Sequence, residues 1–579
     1  MSTIGFEQEE LDFAGPLRLA AKLTLAANNE TINEPRHLYD LALTQPNVTQ
    51  LWRPVKNPAA FGLQPGAKQL LWNHGNPVGR TTKARHFWHE ADAEEQKRLA
   101  GLAREAALGL QAGGSFSCRA YSGLDPEFCV GLHFVGNRNY PLAALSFLLN
   151  FQALVSPAHE TFYRESEPLG CPDLLMVYDP DWRHPDYPHG LVIIDREDKT
   201  IFVLGLPYFG EIKKGFLTLI WHAAIHERVP GTELRRFLPI HGAICVINGK
   251  TVIIIALSGS GKSSLSRHAE SIAHDDAFVI SMVTGRVIVL EPTFFNKTDG
   301  DELGDETTER GLVFYNMGLV ETGRGLDVVP GDRLVANGRV IQERPANSVN
   351  GYDKVDIVSL VMKDDTLPPI SLINDPALFV AFGASLMTKR SLAESLKNLA
   401  DQFKLVIEPF AQPFRAWRLN TECRMFQLFL ELFQPQTVIL NTGDFLGEDI
   451  SLPLSRDRIL PTLTGGELEF TPWRIIPGKM VSLPRKGSFG GGYDRRFVPK
   501  ISDPAYVDRF VSRMQSRIDF LTATRKQQEI HADFVDPLLR VRIALDEFLQ
   551  RDPIAGDFSW TEADLARLHE HRTSRIQHT

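Results

Sequence analysis

The sequence predicts an α/β protein of two lobes, an N-terminal α/β lobe followed by a lobe that binds a phosphorylated ligand. Three observations lead to this prediction. Residues 252–257 form an apolar, β-branched run without alternation, typical of a strand covered on both faces, and the run ends at serine and glycine. Short apolar runs alternate with helical patterns on both sides of this strand. The 579 residues are enough for two or three domains.

The composition is that of an ordinary globular protein. Hydrophobic residues make up 43% and charged residues 23% of the chain, and the net charge is −9, so neither nucleic acid nor a membrane is expected as a partner. The N-terminus lacks a signal-peptide pattern and no apolar run approaches a membrane span, so we expect a cytoplasmic location. The five cysteines are scattered without CxxC spacing, which argues against a disulfide framework or a zinc site.

The N-terminal lobe is expected to cover residues 1–235. A helix is predicted from about Ala91, because helical spacing places apolar residues on one of its faces. These residues are Leu99, Leu102, Ala103, Ala106 and Leu110. Short apolar runs bounded by Gly, Pro and Asp then predict strands. They lie at residues 129–135, 173–178, 190–195 and 200–205, with a helical run at residues 142–155 between the first two. This lobe should therefore contain a mixed sheet.

The second lobe is expected to cover residues 236–525. Its first strand, within residues 237–248, should pair with the strand at residues 252–257 across Asn248-Gly249, a dipeptide favoured in two-residue hairpins. A lid is predicted near residues 384–400. Further on, Asp503 as N-cap and Pro504 at the first helical position predict a long helix. Residues 526–579 are predicted to form a C-terminal helical extension.

The turn that follows the strand at residues 252–257 has the composition of a phosphate-binding loop. Gly259 and Gly261 allow backbone N–H groups to close around an anion, Lys262 places a charge between phosphates, and the helix that opens at Ser263 adds its positive dipole end. Ala256 stands where the general pattern has glycine, and an ordinary glycine-rich turn is the alternative. We predict a nucleotide or polyphosphate site. Its loop residues are Leu257, Ser258, Gly259, Ser260, Gly261, Lys262, Ser263 and Ser264.

Several motifs in order resemble the phosphoenolpyruvate carboxykinases, and their ATP-dependent branch more than the GTP-dependent one. The phosphate loop is similar to the family's kinase loop through its trailing Leu-Ser. The other matching segments are Tyr208-Phe-Gly-Glu-Ile-Lys-Lys-Gly, Ile240-His-Gly-Ala, Leu367-Pro-Pro-Ile-Ser and Leu440-Asn-Thr-Gly. The resemblance covers residues 79–456 and extends more faintly to about residue 521. It implies the two-lobed fold of that family, with a substrate-side lobe before a P-loop mononucleotide-binding lobe.

The resemblance also implies ATP or another nucleoside triphosphate, together with Mn²⁺ and Mg²⁺. Lys214, His241 and Asp276 stand at the family's manganese ligand positions. A carboxylate and an imidazole suit manganese, and a lysine amine can join them where its neighbours depress its pKa. Ser263 and the triphosphate would hold magnesium.

The substrate-side residues are carried over from the same motifs. Arg80, in Gly-Arg-Thr-Thr-Lys, stands where the family has an arginine that clamps a substrate carboxylate, a role that suits the guanidinium fork. Arg339 matches the arginine that contacts the transferring phosphoryl group, and Lys213 would approach the same group. Lys262 would cradle the γ-phosphate. Tyr208 would present its ring edge to the carboxylate or to carbon dioxide.

Around the metal and phosphates, two departures from the family pattern stand out. Ala277 and Phe278 replace the Glu-His that follows the metal aspartate, so a carboxylate that tunes the metal is missing. Thr284 and Arg286 replace a tyrosine and a lysine. Because Arg286 keeps the positive charge, we expect it to contact phosphate.

The segments expected at the nucleotide base and at the lid also depart from the family pattern. Glu448 and Asp449 stand where the family has Lys-Arg beside the nucleotide base, which leaves the base preference open. The lid segment has no glycine after Gly383, whereas the family's lid is rich in glycine and threonine. A basic, glycine-rich segment at residues 485–496 is predicted to be a mobile surface loop, with contact to phosphates or single-stranded nucleic acid as the alternative.

The sequence thus predicts a phosphoenolpyruvate carboxykinase-like enzyme that transfers a phosphoryl group between a nucleoside triphosphate and a small carboxylate or enolate. The family's reaction, oxaloacetate to phosphoenolpyruvate and carbon dioxide, is the leading candidate. A kinase for a different small metabolite on the same scaffold is one alternative, and a catalytically silent nucleotide-binding regulator is another. The oligomeric state and the role of the residues after about 525 are not predicted.

Overall fold

The computed structural model describes residues 15–26, 28–74, 84–257, 261–266, 269–298, 305–329, 338–389, 405–499, 503–526 and 530–550. The chain forms two compact units. The first unit comprises the described residues within Met1–Glu227 and Ile288–Ala346. The second comprises those within Arg228–Val287, Asn347–Ser391 and Asn398–Thr579.

The first unit contains a mixed seven-stranded sheet. Its strands, in spatial order, are Asn29–Thr31, Ser115–Asp125, Phe128–Asn137, Leu174–Asp179, Thr200–Leu204, Leu191–Asp195 and Arg85–Phe87. Phe128–Asn137, Leu174–Asp179 and Thr200–Leu204 run parallel to one another. The predicted helix is present as Ala93–Gly113. It begins where Asp92 accepts a hydrogen bond from the backbone N–H of Glu95, and its five predicted apolar residues are buried against the sheet.

A second, five-stranded sheet in the first unit joins distant parts of the chain. Its strands, in spatial order, are Thr293–Lys297, Arg339–Glu343, Gly311–Tyr315, Lys68–Trp72 and Val48–Pro54. The chain between Gly311–Tyr315 and Arg339–Glu343 also forms an antiparallel hairpin, in which Gly318–Thr322 pairs with Gly325–Val329. The α-helices of this unit besides Ala93–Gly113 are Pro16–Ala26, Pro35–Ala42, Pro141–Asn150, Pro157–Glu165, Phe209–His226 and Asp305–Arg310, and its 3₁₀ helices are Pro58–Phe61 and Trp88–Glu90.

The second unit is built on an eight-stranded sheet that contains the strand before the phosphate loop. Its strands, in spatial order, are Ser271–His274, Ala243–Ile247, Lys250–Ile255, Ile357–Met362, Gln436–Asn441, Ile370–Ile373, Val481–Pro484 and Phe470–Pro472. Lys250–Ile255 is buried from Thr251 onward, as its uninterrupted apolar pattern predicts. The predicted hairpin is present, since Ala243–Ile247 pairs antiparallel with this strand and Asn248 and Gly249 both have positive φ.

Shorter elements complete the second unit. Phe237–His241 pairs antiparallel with Ala277–Ser281. The remaining strands are Gly351–Tyr352, Met387–Lys389, Leu405–Ile407, Asp444–Phe445 and Glu448–Asp449, and Val287–Val289 crosses the boundary between the two chain ranges. The α-helices are Lys262–Ser266, Pro376–Ala384, Leu419–Phe433, Leu460–Thr464, Gly491–Phe497, Pro504–Lys526 and Asp536–Gln550. Leu454–Ile459 is a π-helix, and Pro409–Ala411, Pro477–Lys479 and Ala532–Phe534 are 3₁₀ helices.

The predicted α/β class is confirmed by these sheets and helices. The two units differ from the continuous ranges 1–235 and 236–525 expected for the lobes, because Ile288–Ala346 belongs to the first unit. The reason is hydrogen bonding within a sheet, since Gly311–Tyr315 pairs parallel with Lys68–Trp72. The described part of the C-terminal extension forms Asp536–Gln550, which packs against Pro504–Lys526. Residues 390–400 of the predicted lid lie outside the described residues.

No helix among the described residues is long and apolar enough to cross a bilayer.

Candidate active site

Two of the predicted substrate-side residues, Tyr208 and Lys213, lie at the start of one buried helix. Phe209–His226 begins directly after Tyr208, and nearly all of its residues are buried. Tyr208 itself is 3% exposed. Lys213 and Lys214 lie in the second turn of this helix, where successive residues point about 100° apart around the axis. The two lysines therefore meet different surroundings.

Lys213 forms an ion pair inside the first unit. Its Nζ lies 3.1 Å from Oε2 of Glu291, and both side chains are almost completely buried. The other oxygen of Glu291, Oε1, accepts a hydrogen bond from the side-chain amide of buried Asn150. A buried ammonium is tolerated only when it is paired, so this carboxylate holds the charge of Lys213 in the interior.

Lys214 is paired with a different carboxylate. Its Nζ donates to Oε1 of Glu211, 3.0 Å away and three residues earlier on the same helix. Oε2 of Glu211 lies 3.6 Å from a guanidinium nitrogen of Arg85. The Lys214 side chain is 29% exposed and that of Lys213 is 4% exposed, so Lys214 is the more open of the two to solvent.

Arg339 joins this cluster from the strand Arg339–Glu343. Its Nε donates to the hydroxyl of Tyr208 over 3.3 Å. Two cations lie near the ring of Phe295, with Lys213 Nζ 5.7 Å and the Arg339 guanidinium 5.9 Å from its centroid. The cluster thus contains more cations than carboxylates. The cations are Arg85, Lys213, Lys214 and Arg339, and the carboxylates are Glu211 and Glu291. Such a balance suits an anionic ligand.

In the second unit, His241 and Asp276 face each other at adjacent strand ends. His241 ends Phe237–His241, and Asp276 directly precedes Ala277–Ser281, the strand that pairs with it. Nε2 of His241 lies 3.0 Å from Oδ1 of Asp276. The backbone N–H groups of Asp276 and Ala277 both donate to Nδ1 of His274, which fixes the turn that carries Asp276.

The surroundings of His241 favour the neutral form of its imidazole. Burial lowers its pKa below the ordinary value, and the nearby ammonium of Lys262 lowers it further, while Asp276 acts in the opposite direction. The edge of the His241 ring also meets the ring of Phe414, with centroids 5.6 Å apart. A neutral imidazole is the form that binds a metal ion.

Lys262 lies at the phosphate loop and contacts the same carboxylate oxygen. Its Nζ donates to Oδ1 of Asp276 over 3.1 Å, and the side chain is 7% exposed. Gly261 before it has φ +97°, a conformation that a residue with a side chain rarely adopts. The short helix Lys262–Ser266 then begins. Lys262 therefore bridges the phosphate loop and the pair of His241 and Asp276.

His241 and Asp276 fit a divalent metal ion. Two ligands at about 2.1 Å from one ion and at right angles are about 3 Å apart, which is the separation of the imidazole nitrogen and the carboxylate oxygen here. The described residues contain no cluster of three or more His, Cys, Asp and Glu side chains suited to a metal. Lys214 belongs to the first unit, and its participation remains a prediction.

Other predicted residues are only partly described. Arg80, Ser258, Gly259 and Ser260 lie outside the described residues, and of Ser263 only the backbone, in Lys262–Ser266, is described. Leu257 and Ser264 are buried on either side of the loop. Arg286 lies after the turn that follows Ala277–Ser281 and forms an ion pair with exposed Asp353. Its predicted phosphate contact remains a prediction.

The segment expected beside the nucleotide base, Glu448 and Asp449, carries an ion pair that the sequence did not predict. Nε of Arg496 lies 3.0 Å from Glu448, and another of its nitrogens donates to the carbonyl of Asp449 over 3.1 Å. Arg496 belongs to the basic segment predicted as a loop, which instead ends in the helix Gly491–Phe497. Two aromatic residues of this helix, Tyr493 and Phe497, are buried and order the segment.

The sequence patterns also missed members of the first unit's cluster. The sequence did not predict Glu291 or Asn150 as site residues. It also did not predict His74, whose ring centroid lies 6.0 Å from that of Tyr208. Burial lowers the pKa of His74 to about 4, which keeps it neutral. One signal was available, because Glu291 directly follows the apolar run that contains Val287–Val289. A charged residue at the end of a buried strand often faces a site.

Comparison with known proteins gives consistent matches. Residues 79–486 match the family model described as phosphoenolpyruvate carboxykinase. The chain is 22% identical over 374 residues to "Phosphoenolpyruvate carboxykinase (ATP)" of Dictyostelium discoideum, covering 61% of this chain and 63% of that protein. It is 27% identical over 160 residues to the protein of the same name from Saccharomyces cerevisiae, covering 25% of each. The chain thus spans less than two thirds of the length of these curated relatives.

Proposed function

Because the chain belongs to the phosphoenolpyruvate carboxykinase family, we propose that it catalyses nucleotide-dependent phosphoryl transfer to a small carboxylate or enolate, with oxaloacetate and ATP as the leading substrates. The products would be phosphoenolpyruvate, carbon dioxide and ADP. The observation that carries the proposal is the meeting of Lys262 and His241 on one oxygen of Asp276, at 3.1 and 3.0 Å. A phosphate-binding lysine and a metal-binding pair thus converge on one point.

We assign the binding of the nucleotide phosphates to the second unit. The left-handed turn at Gly261 leads into a helix whose first residue is Lys262, so backbone N–H groups and an ammonium are available to phosphate oxygens. In our proposal, Lys262 leaves Asp276 and binds the β- and γ-phosphates. Its charge then balances the negative charge that accumulates as the γ-phosphoryl is transferred.

The metal ions that the family implies are assigned to the same unit. His241 and Asp276 would hold Mn²⁺, and the hydroxyl of Ser263 would hold Mg²⁺ together with the triphosphate. When bound, such cations polarise oxygen atoms of the reacting groups and neutralise their charge. The neutral state of His241 and the anionic oxygen of Asp276 are what this role requires of the protein.

We assign the binding of the substrate carboxylate and of the transferring phosphoryl group to the cationic cluster of the first unit. Arg339 and Lys213 both lie within 6 Å of the ring centroid of Phe295 and would stabilise the transferring phosphoryl group with their positive charges. Tyr208, whose hydroxyl accepts a hydrogen bond from Arg339, would orient the substrate carboxylate. Arg80 remains the predicted clamp for that carboxylate.

The proposed reaction has two steps. The bond between the β-carboxylate carbon and its neighbour breaks, and its electron pair becomes an enolate while carbon dioxide leaves. The enolate oxygen then attacks the γ-phosphorus, and the bond from that phosphorus to the ADP oxygen breaks. Throughout, Lys213, Lys262 and Arg339 contribute positive charge that is positioned before the reaction begins.

The test is an exchange assay. The full chain is incubated with oxaloacetate, ATP, Mn²⁺ and labelled bicarbonate, and incorporation of label into oxaloacetate is measured. The proposal expects exchange that requires both nucleotide and metal and that Lys262→Ala abolishes. Absence of exchange from a chain shown by calorimetry to bind ATP and Mn²⁺ would exclude the carboxykinase step.

A kinase for a different metabolite is the second candidate. The observation that favours it is Ala277, which is fully buried in its strand where the family has a carboxylate beside the metal aspartate. A small apolar side chain there cannot tune the metal as a carboxylate does. Screening small carboxylates and alcohols for acceptance of the γ-phosphate separates this candidate, which predicts transfer without release of carbon dioxide.

A further inference from the structure

The ion pair between Lys213 and Glu291 is not explained by stability alone. Replacing a buried ion pair with apolar side chains of similar volume is often neutral or stabilising, so the pair is not needed to fill the interior. Both side chains are almost completely buried, with exposed fractions of 4% for Lys213 and 0% for Glu291. What the pair provides is a defined position for the Lys213 ammonium.

Glu291 is itself held firmly from several directions. The amide of Asn150, the last residue of Pro141–Asn150, donates to its Oε1. The residue before Glu291 accepts at its carbonyl from the hydroxyl of Ser122 over 2.9 Å. Thr293 donates its hydroxyl to the carbonyl of Leu149 over 3.1 Å. The carboxylate is thus fixed to a helix end by Asn150, and the chain on either side of it is fixed to the strand Ser115–Asp125 and to the same helix end.

The position of the Lys213 ammonium matters to the rest of the cluster. Lys213 and Arg339 share the ring of Phe295, so a displaced ammonium would change the spacing between the two cations. Lys214 has its own carboxylate, Glu211, and does not depend on Glu291. Each lysine of the pair is therefore set by a separate acid.

We propose that Glu291, supported by Asn150, is a positioning residue that places the ammonium of Lys213 for contact with the transferring phosphoryl group. The proposal rests on the proposed function for that phosphoryl contact. The ion pair and the hydrogen bond from Asn150 carry the positioning itself. A misplacement of about 1 Å in such a group can cost about a hundredfold in rate.

The kinetic test compares Glu291→Gln with Glu291→Asp. Glutamine keeps the shape and an oxygen for Asn150 but loses the charge, whereas aspartate keeps the charge on a side chain one methylene shorter. We expect kcat to fall about ten- to a hundredfold in Glu291→Gln, with KM for ATP unchanged and with Glu291→Asp in between. The matched control is Glu197→Gln, which removes an exposed carboxylate of the same unit. The kcat of this control variant should equal that of the wild-type protein.

Two outcomes would overturn the proposal in this assay. One is an unchanged kcat in Glu291→Gln. The other is a fall in activity that matches the loss of folded protein, measured by circular dichroism, and that aspartate does not relieve. Either would mean that the pair only supports the fold.

A crystal structure of Glu291→Gln decides the positioning without any activity. We expect Nζ of Lys213 to move by about 1 Å or more, while Lys214 keeps its contact with Glu211. An unmoved Lys213 would overturn the proposal. If the unchanged chain transfers no phosphoryl group, the proposed function fails, and this structure still shows whether Glu291 positions Lys213.

Discussion

Replacing Asp276 with asparagine should strengthen nucleotide binding when no metal is present. One oxygen of Asp276 lies 3.1 Å from Nζ of Lys262 and 3.0 Å from Nε2 of His241. Without a metal, phosphate oxygens must compete with this carboxylate for the lysine. In the proposed site the aspartate would thus favour metal binding and oppose metal-free nucleotide binding.

The size of the effect follows from the geometry. Opposite unit charges 3.1 Å apart attract by about 5 kcal/mol at an effective dielectric constant of about 20. Asp276 is 24% exposed, and solvent offsets most of this attraction, so a net value of about 1.5 kcal/mol is appropriate for a hydrogen bond to a charged group. That value corresponds to about a tenfold change in Kd.

The assay is calorimetric titration with ATP in the presence of EDTA. We expect Asp276→Asn to bind ATP about tenfold more tightly than the unchanged chain and to lose its affinity for Mn²⁺. The control is Glu467→Gln, which changes an exposed carboxylate of the same unit. Equal or weaker ATP binding by Asp276→Asn would refute the competition. If the competition is present, Mn²⁺ should raise the affinity of the wild-type protein for ATP, and ATP should raise its affinity for Mn²⁺ by the same factor.

Three further predictions concern stability. Burial, helped by two nearby arginines, lowers the pKa of His133 to about 3, so on the order of 4 kcal/mol of stability should be present above about pH 6.5 and be lost as the pH falls toward the folded pKa. His133→Gln should flatten the acid dependence of Tm. Gln434 ends Leu419–Phe433 with φ 47°, so Gln434→Gly should raise the free energy of unfolding by about 1 kcal/mol, and Gln427→Gly, within the helix, should lower it by a similar amount in urea titrations. Arg517 and Asp364 are fully buried and 2.7 Å apart, so Arg517→Met should cost about 3–5 kcal/mol, and a change of less than 1 kcal/mol in urea titrations would contradict this.

Much of the local structure could be predicted because local patterns specify it. The uninterrupted apolar run became the buried strand Lys250–Ile255, and Asn248-Gly249 became the hairpin turn before it. The apolar face of Ala93–Gly113 was buried as its spacing predicted. In each case neighbours within a few residues of one another determine the conformation.

The site was less predictable where contacts join distant segments. Asn150 and Glu291 are 141 residues apart in the chain and meet only because a helix end and a strand end pack together. The pair of Arg496 and Glu448 arises in the same way, because a helix anchored by buried Tyr493 and Phe497 brings a basic segment to an acidic strand. Patterns of residue type carry little information about such meetings.

The sequence by itself predicted the family, which the family model over residues 79–486 confirms. It also predicted the phosphate loop and the ligands, because these predictions depend on residue types at short spacings along the chain. Only the tertiary structure decided that Lys213 meets Glu291, whereas the pair of Lys214 and Glu211 is local, with the two residues three positions apart on one helix. Lys213 and Lys214 are neighbours in sequence, yet the turn of the helix directs one to Glu291 and the other to Glu211. The tertiary structure also brought Lys262 and His241 to one oxygen of Asp276, since that meeting requires a loop and two strand ends to pack together.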